Sequence, residues 1–235
     1  MNPYNSFYWF QNAASKTLCD HIVRFAKEKE DEKKLGLTEA AGGGKVNRDK
    51  KFKNLTKKEK NLLLPSRKSE VIWLEEPWIF RNMEFWMDVA NKEAKWGYKI
   101  DSVEMAQFTI YEKDGFHGWH YDGGSDYLQS YIKSKNPDEP IIGYGRETND
   151  DNMIGKVRKI SMTLNLTDPN EYSGGNLKFD FGLHNKKTDR SHVCKEIRPK
   201  GSIIFFPSFT HHTITPITKG TRYSLVTWLL GNPFK

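Results

Sequence analysis

The sequence predicts a mainly β fold with flanking helices, built on a double-stranded β-helix (jelly-roll, cupin-like) core. Three observations lead there. Beyond Trp96 the chain breaks into about eight short strand-like runs separated by Gly, Pro and Asp turns, the pattern of a double-sheet β protein. Ahead of them stand two stretches of helical periodicity, suited to backing one sheet. Aromatic residues reach 13% where hydrophobic residues total 37%, so burial leans on Phe, Trp and Tyr rather than aliphatic volume.

The first helix is expected from about Ser15 to Glu30. There Leu18, Ile22, Phe25 and Ala26 recur at helical spacing beneath Asp20, Arg24, Lys27 and Lys29. From Leu35 to Arg67 the chain changes character: Ala40 to Gly44 gives way to a run rich in Lys. Glycines lower stiffness and like charges resist compaction, which predicts a mobile loop. A short helix should follow, from the capping box Thr56-x-x-Glu59 to just before Pro65. The segment is either a solvated linker or a basic flap, Ala40 to Lys60, that orders over an acidic substrate.

Glu70 to Leu74 reads as a strand. Pro77 then opens a helix with Ile79, Met83, Trp86 and Ala90 on one stripe. Strands are expected near Glu104 to Glu112, His117 to Asp122, Val157 to Thr167, Asn176 to Phe181, Val193 to Arg198, Ser202 to Phe206, Thr210 to Pro216 and Thr221 to Leu230. Gly123 to Gly155 interrupts the series as a long loop carrying Tyr127, Tyr131, Tyr144 and Arg146. Lying directly after Asp122, it is placed to act as a lid.

At 235 residues the chain fits one domain. Residues 1–100 supply helical support and the flap, and residues 101–231 the jelly-roll core with its lid insertion at 123–155. No stretch approaches the ~20 apolar residues of a membrane span, and Met1 to Ser15 has no basic segment followed by an apolar core. Cys19 and Cys194 form neither a Cys-x-x-Cys motif nor a disulfide framework. A soluble cytoplasmic protein without a membrane partner is the expectation. The formal charge of +7 leaves nucleic acid open as a less favoured partner beside an acidic polypeptide.

The chemistry gathers around Trp119-His120-Tyr121-Asp122. In an extended strand His120 and Asp122 share a face, while Trp119 and His117 fall on the other. An imidazole and a carboxylate need one more nitrogen to complete a 2-His-1-carboxylate triad, which leaves positions open on a ferrous ion. Downstream, His211 and His212 are adjacent, so at most one can face the metal from a strand. Arg222, Ser224, Val226 and Trp228 share one strand face, so Trp228 can wall the pocket that Arg222 enters while Ser224 adds a hydroxyl.

These blocks resemble the 2-oxoglutarate and Fe(II)-dependent dioxygenases, in their prolyl 4-hydroxylase-like branch, which includes the PKHD-type hydroxylases. The resemblance covers roughly Glu104 to Gly231. It rests on Tyr111, His120-x-Asp122, Ser161 to Pro169, Gly174-Gly175-Asn176-Leu177, His212-x-Ile214-x-Pro216 and Arg222, in the family's order and spacing. It implies that His120, Asp122 and His212 ligate iron. His212 is preferred to His211 because the family's arginine stands ten residues beyond the distal ligand, which here is Arg222. That guanidinium would grip the distal carboxylate of 2-oxoglutarate through two parallel hydrogen bonds. Tyr111 matches a tyrosine at the cosubstrate. Asn165 stands where related hydroxylases often carry an aromatic or hydroxyl residue.

The resemblance further implies Fe(II) as the metal, 2-oxoglutarate and O2 as cosubstrates, and ascorbate as a candidate reductant. The reaction would couple decarboxylation of 2-oxoglutarate, giving succinate and CO2, to hydroxylation of a substrate C–H bond, with no separate catalytic acid or base. A proline-containing peptide or protein is the favoured substrate. A free amino acid or nucleic acid is the alternative, as is a binding module without turnover.

Overall fold

The computed structural model describes residues 6–34, 67–123, 129–134, 147–181 and 191–234. Within them, β1 (Tyr8–Phe10), β3 (Glu70–Leu74), β5 (Ala106–Tyr111), β9 (Val157–Asn165), β13 (Ile203–Pro207) and β16 (Arg222–Gly231) form the major sheet. Its order is β1-β13-β9-β16-β5-β3, and β4 (Ser102–Val103) pairs with β16 as the seventh strand. The minor sheet has five strands in the order β12-β11-β14-β6-β2. These are His192–Val193, Leu177–Asp180, His211–Ile214, Phe116–His120 and Arg67–Lys68 respectively. The two sheets stay separate among the described residues, giving a double-stranded β-helix without a closed barrel.

The major sheet is buried on both faces, yet its central strands still alternate. Phe108, Ile160, Met162, Leu164 and Leu225 pack with Ile22 and Ala26 of α1 (Lys16–Lys34) and with Ile79 and Met83 of α2 (Pro77–Glu93). The intervening positions are Gln107, Thr109, Ser161, Thr163 and Ser224, all buried and polar. A strand facing two apolar layers would carry apolar residues on both sides. The polar face therefore lines something other than core. Farther along, the gap between the sheets is filled by Ile204 and Phe206 of β13 against Leu177 and Phe179 of β11.

Local chemistry accounts for the ends of these elements. The Leu18 N–H donates to Ser15 Oγ at 3.1 Å, so Ser15 caps α1 and the helix starts one residue later than its periodicity implies. In α2 the buried stripe is Ile79, Met83, Met87 and Ala90. Trp86 sits at its margin, where its ring lies 4.5 Å from that of Phe10.

Some expected strands are shorter than their apolar runs. Of Val193 to Arg198 only Val193 stays in a strand, because the chain turns and the Arg198 N–H donates to the Lys195 carbonyl. Asp122 falls outside β6, which ends at His120. The run Thr210 to Pro216 stops at Ile214, and after Pro216 a further strand, β15 (Ile217–Gly220), pairs with β10 (Tyr172–Gly174). Proline has no N–H to continue the ladder. Strands of two to four residues, including the parallel pair β7 (Ile132–Lys133) and β8 (Glu147–Thr148), are too short for alternation to reveal.

The flap Ala40 to Lys60, the helix expected from Thr56, and Tyr127, Tyr144 and Arg146 of the lid insertion lie outside the described residues. No helix among the described residues is long and apolar enough to cross a membrane.

Candidate metal centre

Strands β6 and β14 run side by side, with His120 and His212 as direct register partners and ring centroids 4.1 Å apart. Asp122 reaches the pair from the turn after β6, not from the strand itself. Its Oδ1 is 3.5 Å from His120 Nε2 and its Oδ2 is 3.6 Å from His212 Nε2. The ligand atoms of the three residues lie within 4.8 Å of one another, a group that could hold a metal ion.

Each imidazole is oriented by its other nitrogen. His120 Nδ1 lies 2.7 Å from the Gly118 carbonyl and His212 Nδ1 lies 2.8 Å from the Thr210 carbonyl. With the proton on Nδ1, each Nε2 keeps a free lone pair toward Asp122, the arrangement in which carbonyls orient metal-binding histidines.

Electrostatics agree at His212 and Asp122. Burial and the neighbouring His120 push His212 down to about 4, so it is neutral at ordinary pH. Burial would raise the Asp122 carboxyl, but His212, His120 and Arg158 around it hold it well below the usual carboxylate range. An ionised carboxylate beside the neutral His212 imidazole and the His120 Nε2 is a donor set for a divalent first-row metal.

The neighbouring histidines divide between the faces. His211 points away from the cluster, packing against Trp119 and Tyr121 and lying 3.5 Å from Asp180. Trp119 is 40% exposed, in keeping with its position on the outer face. His117 departs from simple alternation: its ring stacks on His120 with centroids 3.5 Å apart, and it lines the same pocket. The cause is a bulge. His212 pairs with His120 and Ile214 with His117, so β6 holds one more residue than β14 between the two pairs. That extra residue re-aims His117. Burial, then His120 and Arg67, keep the His117 imidazole well below its ordinary range.

The major sheet closes the other side. Arg222, Ser224, Val226 and Trp228 of β16, with Tyr111 and Gln107 of β5 and Thr163 of β9, line one pocket with the His/Asp cluster. Tyr111 is the register partner of Arg222. A Cβ on Gly175 would meet Ile217 at 2.4 Å and the Arg222 stem at 3.2 Å, so the Gly174-Gly175 turn makes room for the arginine. Arg222 is 1% exposed, yet its Nη1 has no hydrogen-bond partner, and neither does Trp228 Nε1. A buried, unpartnered guanidinium nitrogen is costly. Two orphaned donors in one pocket, beside a cluster that could hold a metal ion, fit an anionic ligand that accepts hydrogen bonds.

Asn165 serves a different purpose. Its amide nitrogen donates to the Thr167 and Arg198 carbonyls at 2.9 and 2.7 Å, tying the end of β9 to the next turn. Gln107 and Thr163 could have been found by alternation, since they stand four and two residues along strands already marked by Tyr111 and Asn165. Arg67 could not, since it reaches the pocket only through the pairing of β2 with β6. Arg158, which bonds the backbone beside the cluster, carried no local signal either.

Comparison with known proteins agrees with this geometry. Residues 106–230, just over half of the chain, match the model of the 2OG-Fe(II) oxygenase superfamily. A PKHD-type hydroxylase of Synechococcus sp. (strain JA-2-3B'a(2-13)) is 32% identical over 95 residues, covering 39% of each chain. The PKHD-type hydroxylase YbiX of Escherichia coli O1:K1 / APEC is 35% identical over 124 residues, covering 52% of this chain and 41% of its own. The match thus spans less than half the length of these curated relatives.

Among solved structures, the viral collagen prolyl hydroxylase of Paramecium Bursaria Chlorella virus-1 has a TM-score of 0.56 at 17% identity over 96% of both chains. A Pseudomonas putida prolyl-4-hydroxylase has 0.55 at 13% identity, over 95% of this chain and 91% of its own. At such identities these two show a shared fold. With the family model matched across the strands that build the pocket, this chain belongs to the 2OG-Fe(II) oxygenase superfamily.

Proposed function

We propose that this protein is a 2-oxoglutarate- and Fe(II)-dependent dioxygenase that hydroxylates a substrate C–H bond, most naturally on a proline of a peptide or protein. The observation that carries the reading is one pocket holding both the His120, Asp122 and His212 cluster and the unpartnered guanidinium nitrogen of Arg222.

In this reading His120, Asp122 and His212 hold the iron. Arg222 binds the distal carboxylate of 2-oxoglutarate, a task suited to a planar fork of donors. Ser224 and Tyr111 line the cosubstrate's end of the cleft, and Trp228 walls it and limits water. Iron and 2-oxoglutarate, when bound, supply the O2-dependent oxidation that yields succinate, CO2 and a hydroxylated carbon. The chain orients both and keeps the reacting carbon close. The proline assignment draws support from the relatives' descriptions as PKHD-type and prolyl hydroxylases.

Succinate formation from 2-oxoglutarate, measured with iron for the native protein and for His212→Ala, tests the class: equal rates would refute the ligand assignment. Mass spectrometry of proline-containing peptides and candidate proteins tests the substrate. A one-oxygen gain that requires 2-oxoglutarate is expected. Preferential modification of proline-free peptides, free amino acids or nucleic acid would replace the proline assignment.

A further inference from the structure

Asp122 is mounted differently from the two histidines of the cluster. His120 and His212 are held in a paired ladder, whereas Asp122 lies beyond the last residue of β6. Two tertiary contacts steady its backbone: the Gly123 N–H donates to the Ser208 carbonyl at 2.9 Å, and Arg158 Nη1 donates to the Asp122 carbonyl at 3.4 Å.

Arg158 is well placed to steady more than that. By plain alternation it would share a face with Ile160 and Met162, toward the helices. A register shift in the β9–β16 ladder pairs Leu229 with Ile160 but Leu230 with Arg158, so Lys159 is an extra residue and Arg158 turns to the opposite face. There its guanidinium lies 3.6 Å from the Trp228 ring centre. It is also gripped by Glu104 through two bonds, Nε to Oε1 at 2.6 Å and Nη2 to Oε2 at 2.5 Å.

Glu104 is in turn fixed by the strand it clamps. Its N–H donates to the Trp228 carbonyl at 2.9 Å and its carbonyl accepts from Thr227 Oγ1 at 2.7 Å. The ion pair is largely buried, with side chains 17% and 6% exposed. A buried pair is a poor source of net stability, and this one fixes a guanidinium that touches both the Asp122 carbonyl and the Trp228 ring.

We infer that Arg158, locked by Glu104, is a positioning residue that holds the Asp122 turn and the Trp228 wall in one fixed relation. The inference rests on the metal-centre reading above. Lysine at 158 keeps the charge but cannot make the two-bond fork, the stack and the carbonyl contact together. Glutamine at 104 keeps the shape but removes the charge that orients the guanidinium.

The test is a Co(II) titration of the full chain, read by the d–d absorption of the bound ion, with circular dichroism as the measure of fold and Asp122→Ala as the reference without a complete ligand set. Native protein should bind, and the reference should lose the signal. Arg158→Lys should keep a native dichroism spectrum and bind Co(II) roughly 10- to 100-fold more weakly, the range for groups that orient metal ligands. Glu104→Gln should weaken binding in the same direction and decides the matter if the lysine variant does not fold. Folded variants with native affinity and spectrum would overturn the role. Loss of fold in both would assign the pair to stability and overturn it equally. Failure of the native protein to bind Co(II) would instead refute the metal centre, and this inference with it.

Discussion

His212 and His120 are register partners across the β14–β6 ladder, and Asp122 spans them, its Oδ1 3.5 Å from His120 Nε2 and its Oδ2 3.6 Å from His212 Nε2. The relationship joins segments ninety residues apart in the chain into one set of donor atoms, so binding of a metal there would be coupled to folding.

Metal should therefore raise thermal stability. At 100 times its dissociation constant, a metal that binds only the folded state adds about 2.7 kcal/mol. Anaerobic Fe(II) titration followed by thermal denaturation should show the rise in native protein and none in Asp122→Ala. Equal shifts in both would place the metal elsewhere.

Arg222 combines burial with an unpartnered nitrogen, so its value should appear only with ligand. Arg222→Met should lose 2-oxoglutarate binding while the ligand-free protein melts at or above the native temperature, because a desolvated cation has been replaced by an apolar side chain. Arg222→Lys should weaken 2-oxoglutarate about tenfold or more, the scale of a lost charge-assisted hydrogen bond. Calorimetric titration and thermal melts separate the two effects.

Stability of the metal-free protein should fall in mild acid. His212 is pushed from an ordinary 6.5 to about 4, first by burial and then by His120. Between those values the unfolded chain takes up a proton that the folded chain does not. Stability is therefore full above about 6.5 and declines as the pH drops toward 4. His117, also held low by burial, acts with the same sign. Melts from pH 7.5 to 4.5 should show a falling midpoint, less steep in His212→Asn; a midpoint independent of pH would contradict it.

Phe108 is fully buried between the major sheet and the helices. Phe108→Ala should cost about 3–5 kcal/mol by leaving a cavity, measurable by urea denaturation. A cost under about 1 kcal/mol would mean that the layer repacks freely.

The residues that announced themselves in the sequence were those on long, regular strands. Alternation along β16 puts Arg222, Ser224, Val226 and Trp228 on one face, and the structure brings all four to one pocket. The two long helices were legible for the same reason, since periodicity accumulates over many residues. Strands of two or three residues left no period to read. They form because a neighbour offers a ladder, as β2 forms against β6.

Sequence alone thus determined the fold class, the amphipathic helices, the His/Asp pairing within a few residues and the face of β16, because each depends on local spacing. Tertiary structure decided what local spacing cannot. Two bulges, at Gly118-Trp119 and at Lys159, turn His117 and Arg158 to faces that alternation denies them. Asp122 takes its place from a turn steadied by Ser208 and Arg158. A single extra residue in a strand reverses every side chain beyond it, and whether one is inserted depends on the partner strand, which the local sequence does not contain.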